Sequence, residues 1–135
     1  MKKKIFAVLL ALLMVSSFSV AVYARASLYI AGYSNTIAQP NGTKNVYFAG
    51  TVNAVNIPSN VCRVSGQLYE LQPNGSWSTV NSSFSVEKTN ANFASGSATY
   101  TSATVGKCYR AYYTYYVQHG GSDTRNEWGS ILEVK

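Results

Sequence analysis

Apolar and polar residues alternate with a period of two through most of the chain after residue 28. No window places apolar residues at i, i+3, i+4 and i+7 between helix caps. The pattern predicts strands over residues 28–33, 46–55, 62–71, 77–86, 97–101, 108–118 and 128–134. Val46, Phe48 and Val52 fall in phase on the second, and Val64 and Leu68 share a face of the third. Pro40-Asn41-Gly42 and Val105-Gly106-Lys107 are expected turns. Gln72-Pro73-Asn74-Gly75-Ser76 is the strongest: Pro presets φ and Asn-Gly supplies positive φ, so residues 63–71 and 77–86 should form a hairpin. Residues 87–96, rich in Asn and Ser, read as a long connection, and residues 119–126 as a Gly-rich loop.

About seven strands without a helix imply an all-β domain, a single antiparallel β-sandwich of immunoglobulin-like architecture. Cys62 and Cys108 are the two cysteines. In an exported chain an even count reads as one disulfide, worth about 4 kcal/mol in the chain-entropy model for a loop of this length. It would tie an early strand to the penultimate one, as immunoglobulin domains tie their sheets. Trp77 is the one candidate for a buried tryptophan between the cysteines, although it lies just past a hairpin turn.

Export is expected from residues 1–24. Lys2, Lys3 and Lys4 precede an apolar run over residues 5–15, and Val22-Tyr23-Ala24 puts short side chains at −3 and −1 of a cleavage site. A membrane-spanning helix needs about 20 predominantly apolar residues, and Ser16, Ser17 and Ser19 interrupt this one. No cysteine stands at the cleavage point, and the ending Ile131-Leu132-Glu133-Val134-Lys135 is short and charged. The expected organisation is a signal peptide over residues 1–24 and one secreted domain over 25–135, extracellular and without stable membrane insertion. Removing the three lysines lowers the formal charge of +6 to +3, eight Lys and Arg against five Asp and Glu. The remaining cations are scattered, whereas nucleic-acid binding calls for a clustered basic face, so nucleic acid is not an expected partner.

The segments Ala31-Gly32-Tyr33-Ser34, Leu68-Tyr69-Glu70 and Asn74-Gly75-Ser76-Trp77 carry a resemblance. So do Val105-Gly106-Lys107-Cys108-Tyr109-Arg110-Ala111-Tyr112 and Gly120-Gly121-Ser122-Asp123-Thr124-Arg125. Together they resemble a family of small secreted proteins, mostly from Gram-positive bacteria, known only as a domain of unknown function. The resemblance covers nearly all of residues 25–135 and implies the fold, not an activity.

Candidate chemistry is sparse. His119, Ser122 and Asp123 supply the residue types of a hydrolase triad, but a triad needs side chains that converge from a supporting scaffold. His119, Asp123 and Glu127 lack the second His or Asp-rich loop of a metal site. Paired carboxylates for glycosidic cleavage would have to come from five acids in all. Asn41, Asn74 and Asn81 stand in N-x-S/T triplets at about the frequency chance supplies. The expectation is therefore no enzyme, no cofactor and no metal.

Tyrosine is the unusual signal. On a strand over 108–118, Tyr109, Ala111, Tyr113, Tyr115 and Val117 share one face, which reads as core, and Arg110, Tyr112, Thr114 and Tyr116 share the other. Tyr suits strands for its own sake. Exposed Tyr beside Arg also suits a binding surface, because rings give contact area at low entropy cost. The candidate ligand-binding residues are Arg110, Tyr112, Tyr116, His119 and Arg125, and the expected partner is an envelope glycan or protein. The alternative is a secreted effector, such as a small antimicrobial protein or enzyme inhibitor.

Overall fold

The computed structural model describes residues 29–55 and 60–135. Residues 1–24, with the expected signal peptide, and Leu28 of the first expected strand lie outside the described residues. Eight strands follow: β1 (Ile30–Ala38), β2 (Val46–Ala54), β3 (Val61–Leu71), β4 (Trp77–Thr89), β5 (Phe93–Tyr100), β6 (Cys108–Gln118), β7 (Ser122–Trp128) and β8 (Leu132–Glu133). All pairings are antiparallel. β1-β2-β5 form one sheet and β4-β3-β6-β7 the other, with β8 continuing along the β7 side of β6. The expected all-β sandwich is the observed one.

The core lies where the inward residues of both sheets meet. Val46, Phe48 and Val52 of β2 face Val64 and Leu68 of β3 and Tyr109, Tyr113 and Tyr115 of β6, all fully buried. Phe84 enters from β4 onto a bed without side chains: a Cβ on Gly66 would stand 2.6 Å, and one on Gly96 2.5 Å, from its ring. These glycines let one large ring bridge the two sheets where the backbones approach.

The buried tyrosines also carry polar ends that must be satisfied. The Tyr113 hydroxyl donates to the Thr36 carbonyl at 2.9 Å, and the Tyr115 hydroxyl lies 3.1 Å from Asn35 Nδ2 and 3.4 Å from the Ser34 carbonyl. The Asp123 carboxylate accepts from the Tyr29 N–H at 2.7 Å, and Glu127 accepts from Asn35. Side chains of β6 and β7 thus occupy polar groups along β1, a strand at the margin of its sheet, a place where open backbone groups invite further pairing. Burial pushes the Tyr115 phenol up to about 12 and raises Tyr113 further.

Three sequence expectations change. Residues 87–96 are not a long connection: β4 continues to Thr89, Asn90 turns with φ 53, and β5 starts at Phe93. Residues 119–126 are mostly strand, with the turn confined to a few residues around Gly120, where the His119 N–H donates to the Gly121 carbonyl. The expected last strand, 128–134, splits into the end of β7 and the two residues of β8, because β8 pairs with β6 one residue out of the register of β7.

The disulfide is overturned. Cys62 and Cys108 are free. β3 and β6 are neighbours in one sheet, and Cys62 is opposite Val117. Cys108 lies at the other end of β6, roughly 30 Å away at about 3.3 Å per residue. A disulfide requires Cα atoms within about 7 Å. Cys62 is instead a buried core residue whose Sγ lies 3.0 Å from the Ala91 carbonyl, and burial raises its thiol pKa. Cys108 is half-buried on the outer face.

Candidate functional site

Strand alternation sends Arg110, Tyr112, Thr114 and Tyr116 to the outer face of the five-stranded sheet, opposite the buried set. The register decides what each one meets. Arg110 is opposite Tyr69 of β3, and Tyr112 is opposite Trp128 of β7. Trp77 begins β4, opposite Leu71, after the expected Gln72–Ser76 turn has reversed the chain. In that turn Gly75 takes φ 83 and the Asn74 side chain accepts from the Ser76 N–H at 2.9 Å.

Arg110 therefore lies between rings that come from both outer strands of this sheet. Its guanidinium carbon is 4.2 Å from the Trp77 ring centroid and 3.8 Å from that of Trp128. Trp128 also meets Tyr112 at 4.9 Å and Tyr69 at 4.8 Å, both edge-on. Guanidinium planes favour the faces of indole rings, and edge-on pairs suit the ring quadrupoles. Trp128 is 41% exposed, and Ile131, three residues further along the chain, is 59% exposed. Arg110 Nε is buried without a hydrogen-bond partner. Next to this cluster is an open depression of about 340 Å³ lined by Leu71, Gln72, Pro73, Gly106, Lys107 and Cys108.

Below the depression Glu70 accepts from Lys107 Nζ at 2.7 Å and from the Tyr109 hydroxyl at 2.7 Å, and that hydroxyl in turn accepts the Thr104 N–H at 3.0 Å. The Lys107 ammonium holds the Glu70 carboxyl below its ordinary value, while burial raises the Tyr109 phenol. Lys107 is thus already paired.

The structure brings together only part of the expected site. Arg110 and Tyr112 share the cluster. Tyr116 lies four residues further along β6, roughly 13 Å away at strand spacing. There Arg63 stacks on it at 5.0 Å and is itself paired with Glu87. His119 sits in the turn beyond that end. Arg125 is opposite Tyr115, so it points to the other side of β7 from Trp128. The residues that sequence reasoning missed are Trp77, Trp128 and Tyr69. Their strands and turn were visible, but the order of the strands in the sheet was not, and that order puts two tryptophans on one arginine. Trp77 is not the buried tryptophan the immunoglobulin comparison suggests; it is half-buried on the outer surface.

The weighed catalytic set does not converge. Ser122 and Asp123 are successive strand residues and point to opposite faces. Asp123 accepts from the N–H of Tyr29, just before β1, and Glu127 accepts from the Asn35 amide of β1. Among the described residues no three His, Cys, Asp or Glu side chains form a metal-holding group. No helix of the described residues is long and apolar enough to cross a membrane.

The fold and its outer face thus define an all-β sandwich with an arginine–tryptophan cluster on one sheet. No family model and no curated protein matches the chain. Among solved structures it is similar to a DUF4466 family protein from Parabacteroides merdae, at 12% identity and a TM-score of 0.43. That likeness covers 78% of this chain and 45% of the neighbour, so the chain spans under half of that protein. A second similar structure is the Northeast Structural Genomics Consortium target SoR45, at 13% identity and a TM-score of 0.31, over 79% of this chain and 86% of the other. The first belongs to a family of unknown function, and at these TM-scores neither bears on the site.

Proposed function

We propose that this chain is an exported, non-catalytic binding domain, of the kind found in small secreted proteins of Gram-positive bacteria. Its ligand, an envelope glycan or protein, docks on the outer face of the five-stranded sheet. The observation that carries this reading is the stack of Arg110 between Trp77 and Trp128, with Tyr112 beside it. Large rings held at the surface by one another present contact area that is already ordered, so binding loses little side-chain entropy. The charged lysine start and apolar run of residues 1–24 support export. The engagement of Asp123 and Glu127 with β1 supports a non-catalytic role, because neither carboxylate is left to work on a substrate.

The test is a pull-down of envelope polysaccharide and culture proteins with protein expressed from the full chain. It is compared with a variant carrying Arg110→Ala, Tyr112→Ala and Trp128→Ala. Wild-type protein should retain a partner that the triple variant loses. Equal recovery by both overturns the surface. Export is checked on the same material: the protein in the medium should start at Arg25.

A further inference from the structure

The outer face holds one cation that the protein's own acids leave unmatched. The sequence has five Asp and Glu, all within the described residues. Glu70 is held by Lys107 and Tyr109, and Glu87 by Arg63. Asp123 takes the Tyr29 N–H and Glu127 takes Asn35. Among the described residues the ion pairs are Arg63–Glu87 and Lys107–Glu70, so Glu133 does not pair with Arg110. The Arg110 side chain makes no hydrogen bond to the described residues, and of its nitrogens only Nε is buried, which leaves the two Nη atoms at the surface.

The stacking limits what can reach this guanidinium. Two indole rings crowd its carbon, with centroids 4.2 and 3.8 Å away. The Nη edge of a guanidinium suits two parallel N–H···O bonds to one planar anion. No second unpaired cation of the cluster stands beside it, which fits a single negative charge. The neighbouring surface is of two kinds. Trp128 and Tyr112 offer ring surface beside the guanidinium. Further along, Ser85, Ser65, Thr114 and Asn126 form one polar row across the four strands. A protein interface is expected to have an apolar centre and a polar rim. Here the centre of the face is hydroxyl and amide, with the Trp128–Tyr112 rings on one side of it and the Arg63–Tyr116 pair on the other.

We propose that the Arg110 edge binds a carboxylate carried directly on a sugar ring, that is, a uronic acid unit of an acidic polysaccharide. The proposal rests on the binding-domain reading above and names its ligand. The carboxylate pairs with the Nη edge, the C–H face of the same sugar lies against Trp128 and Tyr112, and hydroxyls of the following units meet the Ser–Thr–Asn row.

The protein itself contains the probe. Its two tryptophans, Trp77 and Trp128, both pack on Arg110, so intrinsic fluorescence reports on this site in the wild-type chain. Polygalacturonate, its methyl ester and poly(glycerol phosphate) are titrated at about 0.15 M salt, where long-range charge attraction is largely screened. A saturable fluorescence change with polygalacturonate is expected, weaker by about tenfold or more with the methyl ester, since one charged hydrogen-bonded pair is worth at least that factor. It should also be weaker with poly(glycerol phosphate), which keeps an anion but has no sugar ring to lie against Trp128 and Tyr112. Arg110→Gln should weaken binding by a similar factor, and Arg110→Lys should not restore it, because an ammonium lacks the planar fork. Arg63→Gln should bind as the wild type does.

Equal response to the methyl ester or to the phosphate polymer overturns the uronate and leaves the binding surface standing. Undiminished binding by Arg110→Gln overturns the site. If no glycan binds but the pull-down recovers a protein through the triple-variant residues, the ligand class falls and the binding domain stands. If neither binds, both fall. Should Arg110→Gln fail to fold by circular dichroism, the wild-type titrations with the three polymers decide alone.

Discussion

The two faces of β6 carry the same residue type to different ends. Inward, Tyr109, Tyr113 and Tyr115 are fully buried, and each hydroxyl has a partner on another element. Outward, Tyr112 and Tyr116 are half-exposed, and their rings meet a tryptophan and an arginine. The inward rings hold the sheets together, since removing one opens a cavity and orphans a carbonyl. The outward rings are held by neighbours that themselves face water, so the fold loses little without them. A tyrosine-rich strand therefore does not by itself mark a binding surface; the side on which each ring falls decides.

The sharpest break of this comparison is truncation on each side. Tyr113→Ala should cost about 3–5 kcal/mol, much of the stability of a domain of this size. Its chemical unfolding midpoint would show this, and a loss below about 1 kcal/mol would mean the inner ring is not structural. Next in size is Gly66→Ala. Its new Cβ would meet the Phe84 ring, which Gly96 and Gly50 confine from other sides. Overpacking of this kind costs about 1–3 kcal/mol, and a neutral result in the same assay would show that Phe84 can move away.

Alkaline pH separates the faces next. The Tyr115 phenol is pushed up to about 12 by burial, whereas in the unfolded chain it ionises near the ordinary value of about 10. Its contribution is whole below that ordinary value and is lost as pH rises toward the folded one. The unfolding midpoint should fall over this window, and more steeply in wild-type protein than in Tyr115→Phe. A smaller effect of opposite sense belongs to Glu70, whose pKa is lowered by Lys107. That stabilisation is present above about 4.3 and is lost as pH falls through the lower folded value. Glu70→Gln should flatten this acid loss, and unchanged acid sensitivity would show that the pair is neutral. Smallest is Tyr112→Ala, expected within about 0.5 kcal/mol of wild type in the unfolding assay. A loss of 2 kcal/mol or more would move the outer cluster from recognition to structure.

Much of the fold was legible because strand chemistry is local. The in-phase Val46, Phe48 and Val52, the alternation over Tyr109–Val117 and the Pro-Asn-Gly turn each follow from steric and burial rules that act within a few residues. The errors lie where local polarity misleads. Residues 87–89 and 93–96, on either side of the Asn90–Asn92 turn, remain in strands because their backbones pair with β3 and β2. Ser122–Trp128 pairs with β6 for the same reason, despite its glycine-rich start.

The sequence by itself determined the period of two, and with it the class of fold and the two faces of β6. It did not determine strand order, because pairing partners are chosen by the packing of whole sheets, which no local pattern encodes. Only the tertiary structure placed β3 and β6 side by side with their cysteines at opposite ends, which removed the disulfide. Only it placed β4 and β7 at the two margins from which Trp77 and Trp128 close over Arg110. Alternation is a property of a strand and can be read from it, whereas a cluster belongs to several strands at once and exists only after they have assembled.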